Sequence, residues 1–170
     1  MKPPDTRLAA LRAALERHGP QLREVWHAPA ESIESSVAAT GHLPGIITKN
    51  LLLTDRRRQR LWLACVPWER RVDMAALGRL LDAGKLQMAG AEVLRERLGV
   101  EQGALTLLAL AAPGHGIAAL VDRAVWESET IQLHPLTSSC TWLVARVGLE
   151  RLLQESGVSL VILDVPAPMS

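Results

Sequence analysis

The sequence predicts an α+β domain: a mixed, mostly antiparallel sheet packed with flanking helices. Three observations lead there. Apolar runs of strand length, such as 46–53, 61–66 and 159–165, are bounded by Gly, Pro or charged residues. The runs alternate between hairpin-like pairs and single helical patterns, which argues against a doubly wound parallel sheet. Finally, 170 residues with 48% hydrophobic and 22% charged content suit one domain, 1–170, with its own core.

Asp5 or Thr6 can cap a first helix within residues 1–20, with Leu8, Leu11 and Leu15 on one stripe and Gly19-Pro20 as the stop. Leu22 to His27 suits a short strand. Pro29 precedes a helix carrying Ile33 and Val37 and closed by Gly41. A Gly/Pro loop, 41–45, delivers the chain into a strand over Ile46–Asp55. Asp55-Arg56-Arg57-Arg58-Gln59-Arg60 reads as a hairpin tip leading to a second strand over 61–66, ended by Pro67. Asp73 caps a helix with Met74, Leu77, Leu80 and Leu81. Leu86–Met88 is a short strand, and a helix through Leu94 and Leu98 stops at Gly99.

Leu105–Ala111 is nearly all apolar and is expected as a central strand covered on both faces. Residues 113–116 form a turn into a strand over 117–121, with Asp122 at its end. Strands follow over 130–133 and 141–145. A helix with Leu149, Leu152 and Leu153 ends at Gly157, a final strand covers 159–165, and 166–170 is tail.

Composition limits the chemistry. Aromatics are 3%, all five of them Trp, so base stacking could use only Trp or His. The net charge of +1 restricts any nucleic-acid contact to a local patch. Cys65 and Cys140 are distant in sequence and are expected as reduced thiols of a cytosolic protein. No secretory leader is recognisable, and the longest apolar run, 104–113, is too short to span a bilayer, so no membrane is expected and the expected location is cytoplasmic. His18, His27, His42, His115 and His134 show no metal-ligand spacing, so no metal is expected. There is no nucleophile elbow and no phosphate loop, and Gly114-His115-Gly116 fits a turn as well as a dinucleotide site.

What remains is one anomaly and a few polar residues at strand ends. Alternation along Ile46–Asp55 puts Lys49 in a row with Ile47, Leu51 and Leu53. Burying an unpaired ammonium is costly, so Lys49 either snorkels to water or waits for an anion. Asp122, His134, Ser138 and Thr141, with Gly103 in a turn, each also have an ordinary structural reading.

Taken together, these segments resemble a known family. Thr48-Lys49-Asn50-Leu51-Leu52-Leu53-Thr54-Asp55 is similar to the TKNLFLxD strand of the YbaK and prolyl-tRNA synthetase insertion-domain family. Gly84-Lys85-Leu86, Arg97-Leu98-Gly99-Val100, Gly103-Ala104-Leu105-Thr106, Leu120-Val121-Asp122 and His134-Pro135-Leu136 then Thr141 follow in family order. The resemblance implies an α+β fold and hydrolysis of the ester joining a wrong amino acid to a tRNA, usually that for proline, without metal or other cofactor. The TKN form looks most like the alanine-specific branch. It implies that Lys49 anchors the terminal phosphate or steers the ester, that Gly103 begins a loop of N–H groups facing the carbonyl, and that Asp122 and His134 shape and polarise the pocket. Asn50, Ser138 and Thr141 fall at substrate-binding positions. Arg56, Arg57, Arg58 and Arg60 become candidates for tRNA backbone contact. The implied partners are the aminoacyl-tRNA acceptor end and prolyl-tRNA synthetase. Leu107 stands where the family has proline, Ser138 where Asn is common, and Leu52 where Phe is usual. These departures are expected around the pocket, and they keep open a non-catalytic module that binds the acceptor end.

Overall fold

The alternation of apolar residues along the central strands requires cover on both faces, and the structure supplies it. A computed structural model describes residues 6–17, 19–55, 57 and 59–169. The strands are β1 (Arg23–Trp26), β2 (Ile46–Asp55), β3 (Arg60–Pro67), β4 (Leu86–Met88), β5 (Ile117–Asp122), β6 (Thr130–Leu133), β7 (Cys140–Ala145) and β8 (Leu160–Leu163). They form one sheet in the order β1-β7-β6-β2-β3-β5-β8, with β4 beside β2. The β1/β7, β2/β3, β2/β4 and β6/β7 pairs are antiparallel, whereas β2/β6, β3/β5 and β5/β8 are parallel. The expected single α+β domain with a mixed sheet is what forms.

Leu52, Leu61, Leu63 and Cys65 pack on one face beneath α1 (Thr6–Glu16), α4 (Ala91–Leu98) and α6 (Arg146–Glu155). Leu53, Trp62, Ala64 and Val66 pack on the other beneath α3 (Met74–Leu80). The N-terminal helix docks as its stripe requires: Leu11 and Leu15 are buried. Gly148 of α6 lets it come close, since a Cβ there would meet the Leu15 carbonyl oxygen at 2.6 Å. The Asp5 cap lies outside the described residues. Cys65 and Cys140 are both free and buried.

Three expectations change. Leu105–Ala111 does not form a strand; Leu107–Ala111 is a buried 3-10 helix. Thr106, extended at φ −155°, caps it by accepting the Leu108 N–H at 3.3 Å. Beyond Thr106 the run is only Leu and Ala, with no β-branched residue to favour a strand. The helix α2 (Ile33–Thr40) forms with a Ser32/Ser35 capping box, but it buries Ser36 and Thr40 in place of the Ile33 and Val37 stripe. A polar helix face therefore lies against the sheet. A short helix missed in the sequence, α5 (Arg123–Trp126), starts at Asp122, whose side chain caps it.

Candidate active site

The lysine strand and α2 together make the wall of a cleft. It measures ≈ 300 Å³ and is lined by residues 30–33 and Ser36 from the α2 segment, Thr48–Leu51 from β2, Gly103 and Leu105, and His134. Lys49, Asn50, Gly103 and His134, read from distant parts of the chain, thus meet in one place. A larger hollow of ≈ 550 Å³ lies at the other end of the sheet, around Gln59–Trp62 and Pro113–Ala118, and of the predicted site residues it holds only Arg60.

Lys49 pairs through its backbone with Val66 of β3 and is half-buried. No hydrogen bond or ion pair engages its ammonium among the described residues. Burial pushes its pKa below the ordinary lysine value, because a poorly solvated charge is disfavoured. Its row behaves as alternation predicts: Leu51 and Leu53 pack into the core beneath α3. The side chain is thus a poorly solvated cation facing a cleft.

His134 follows β6, and its Nδ1–H donates to the Cys140 carbonyl at 2.8 Å. In the neutral ring this leaves Nε2 as a lone-pair acceptor. Burial pushes the His134 pKa down; the Cys140 carbonyl opposes that shift and the nearby His27 reinforces it. His27 was passed over in the sequence. Its ring meets His134 edge-on at 6.1 Å between centroids, and its Nε2 lies 2.9 Å from the Thr141 hydroxyl. The available signal was its position at the end of a strand that pairs with Thr141 through Val25.

Gly103 needs to be glycine for backbone reasons. Its φ is +95°, a region hostile to side chains, although an added Cβ would meet nothing within 4 Å. The Ala104 N–H is spent on the Glu101 carbonyl at 3.1 Å. The Gly103 and Leu105 N–H groups, both on cleft-lining residues, have no partner among the described residues.

Other predicted residues are placed differently. Thr141 is buried and lines a small cavity behind His134. Ser138 works through its backbone: its carbonyl accepts the Ala30 N–H at 2.9 Å and so holds the cleft wall. Leu107 is wholly buried in the core, away from the cleft. Leu52 likewise packs in the core. These departures from the family pattern therefore do not alter the cleft lining, contrary to expectation.

Asp122 is not brought to the cleft. Its carboxylate accepts from Arg70 Nη1 at 2.7 Å, from the Val165 N–H at 2.9 Å and from the Ala124 N–H at 2.9 Å. It ties β5 to the C-terminal segment. Of the hairpin arginines, Arg56 and Arg58 lie outside the described residues. Arg57 is exposed in the turn beyond Asp55, and Asp55 itself lies about 20 Å along the strand from Lys49. Arg60 is occupied: it pairs with Asp55 at 2.8 Å, donates to the Asp82 carbonyl and stacks on Trp62.

Residues 27–152, which include every cleft-lining side chain just described, match the aminoacyl-tRNA editing domain. The chain belongs to the aminoacyl-tRNA editing domain family. This editing domain is 35% identical over 141 residues to the zebrafish (Danio rerio) prolyl-tRNA synthetase associated domain-containing protein 1, covering 81% of this chain and 76% of that protein. The protein of the same name from Bos taurus is 29% identical over 164 residues, covering 92% and 96%. In fold it resembles a crystal structure of a provisionally assigned trans-editing enzyme for prolyl tRNA synthetase, with a TM-score of 0.71 over 96% of this chain and 99% of that one, at 20% identity. No helix among the described residues is long and apolar enough to cross a membrane.

Proposed function

We propose that this editing domain hydrolyses the ester of mischarged tRNA for proline, with alanine the foremost wrong amino acid, acting in the cytoplasm on the acceptor end that prolyl-tRNA synthetase charges. The observation that carries the reading is the convergence of an unpaired Lys49, the Gly103 turn and neutral His134 on one cleft. The names of the relatives, which refer to prolyl-tRNA synthetase, support the choice of tRNA.

An ester is an activated bond, so charge and positioning suffice. Lys49 holds the phosphate next to the terminal adenosine, or the ester itself, and the polyanion supplies the counter-charge the protein lacks. The Gly103 and Leu105 N–H groups donate to the carbonyl oxygen as it gains negative charge. Water, positioned against the His134 Nε2 lone pair and aided by the tRNA hydroxyl beside the ester, adds to the carbonyl carbon. The tetrahedral species collapses with cleavage of the bond to the tRNA oxygen, which takes up a proton. Free amino acid and intact tRNA leave. A cleft of this size sorts amino acids by volume, worth about 1–3 kcal/mol per methylene, so alanine enters more readily than proline.

A module that binds the acceptor end without turnover gains nothing from Leu107 or Ser138, since neither side chain alters the cleft. The test is a deacylation panel with purified protein. Alanine should be released from alanyl-tRNA for proline while prolyl-tRNA is spared. Absence of release from alanyl, seryl, threonyl and cysteinyl forms alike overturns the enzyme reading.

A further inference from the structure

With Phe and Tyr absent, this chain can offer a nucleic-acid base only tryptophan or histidine rings. Trp142 is 1% and Trp62 6% exposed, and Trp68 and Trp126 are half-buried. Trp26, the last residue of β1, is 64% exposed. Its ring is nonetheless fixed. The indole Nε1–H donates to Glu24 Oε1 at 2.8 Å, while the other oxygen of that carboxylate accepts from Trp142 Nε1 at 2.8 Å and pairs with Arg12. Leaving so large an apolar ring in water forgoes the gain of burying it.

The ring stands close to the cleft. β1 is an edge strand of the sheet, and Trp26 pairs there with Cys140, whose carbonyl accepts from His134. The next residue, His27, brings its ring to 6.1 Å from that of His134. Alternation turns the Trp26 and His27 side chains to opposite faces of the strand. Trp26 therefore marks the sheet edge beside the cleft, outside the space that holds the ester. The cleft wall starts at Ala30, no more than about 14 Å along the chain, roughly the length of four stacked nucleotides. The surroundings are polar, with Arg23 and Glu24 exposed before it and His27 after it. The other large apolar side chains exposed among the described residues, Leu80, Met88, Val147 and Met169, belong to α3, β4, α6 and the C-terminal segment. An aromatic set among charged groups suits a flat ligand that carries its own charge, whereas a protein partner needs a contiguous apolar patch. Trp26 also precedes residues 27–152, so no position of the matched family domain accounts for it.

We infer that Trp26 is a stacking platform for an unpaired base of the RNA 3′ end, one that precedes the nucleotide carrying the ester. The inference rests on the editing reading above and adds a positioning contact to it. The terminal nucleotide lies in the cleft, and the RNA strand leaves past the β1 edge, laying a base on the indole. Every base has a π-face, so the platform adds affinity and register without choosing among sequences. The contact is remote from the reacting ester and is the same in the ground and transition states. It therefore lowers KM and leaves kcat alone.

The test uses the whole protein with unacylated tRNA for proline and the same tRNA trimmed of its terminal CCA. Binding is read by fluorescence anisotropy of RNA labelled at its 5′ end. Trp26→Leu keeps an apolar side chain and removes the π-face; Trp26→Phe keeps a smaller one. Trp26→Leu should bind intact tRNA about tenfold more weakly than the parent, and Trp26→Phe should recover most of that loss. All three proteins should bind the trimmed tRNA alike. Equal binding of intact tRNA by the parent and Trp26→Leu, the result expected if the ring docks on a protein, overturns the inference, as does an equal loss on both RNAs. Deacylation of alanyl-tRNA is measured separately, and Trp26→Leu should raise KM at unchanged kcat. Turnover with KM unchanged in Trp26→Leu removes the platform and keeps the enzyme; a Trp26-dependent difference between the two RNAs without turnover does the reverse.

Discussion

Replacing Asp122 with alanine separates a scaffold role from a catalytic one. The carboxylate is 1% exposed and accepts three hydrogen bonds, from Arg70, Val165 and Ala124. Losing the Ala124 cap of α5 costs about 1 kcal/mol. Leaving the buried Val165 N–H unpaired costs about 1–3 kcal/mol. The Arg70 side chain is 28% exposed and keeps its 2.8 Å bond to the Val165 carbonyl, so its share is small. The sum is about 3 kcal/mol, or roughly 6–12 °C in Tm for a chain of this size. Urea unfolding should show a lower midpoint at unchanged slope. Asp122→Asn should lose less, because one acceptor oxygen remains. Deacylation per folded molecule should stay within about threefold of the parent, less than 1 kcal/mol of barrier. A variant as stable as the parent but with collapsed activity would refute this reasoning and return Asp122 to the reaction.

Lys49→Met should cut kcat/KM on the order of 10²-fold or more without lowering Tm, since a poorly solvated, unpaired cation is removed. Its folded pKa lies below the ordinary lysine value, so the parent gains stability as pH rises from the folded value to the ordinary one and the variant loses that slope, as urea melts across this range will show. The His134 pKa is depressed below 6.5, so its contribution to stability is complete above 6.5 and is lost as pH falls through the folded value. Activity should fall over the same acid limb as Nε2 becomes protonated, and His134→Gln should flatten the stability profile; a variant with the parent's full acid dependence contradicts the assignment. Gly103→Ala forces a side chain onto φ +95° and should cost about 1–3 kcal/mol in urea unfolding, with loss of turnover; unchanged stability would mean that the turn relaxes.

The legible parts of the sequence were those governed by local rules. β2, the cap at Asp73, the αL stop at Gly99 and the docked first helix all follow from alternation, capping and glycine conformation. Leu105–Ala111 was misjudged because an apolar run says that a segment is buried and leaves helix and strand undecided. The polar inner face of α2 was missed because Ile33 and Val37 drew the stripe toward them, while Ser36 and Thr40 face the sheet. Gln132 and His27 carry no motif; their importance lies in partners 88–92 and 114 residues away.

By itself, the sequence determined the fold class, the family resemblance and the presence of a lysine in an apolar row, because each rests on patterns between near neighbours. Only the tertiary structure decided that Lys49, Asn50, Gly103 and His134 share a cleft while Asp122 holds the C-terminal segment. Strand pairing across the sheet sets those distances. The buried, unpartnered oxygens of Asn50 and Gln132 belong to the same category, because whether a buried polar group is satisfied depends on every partner that packing brings to it.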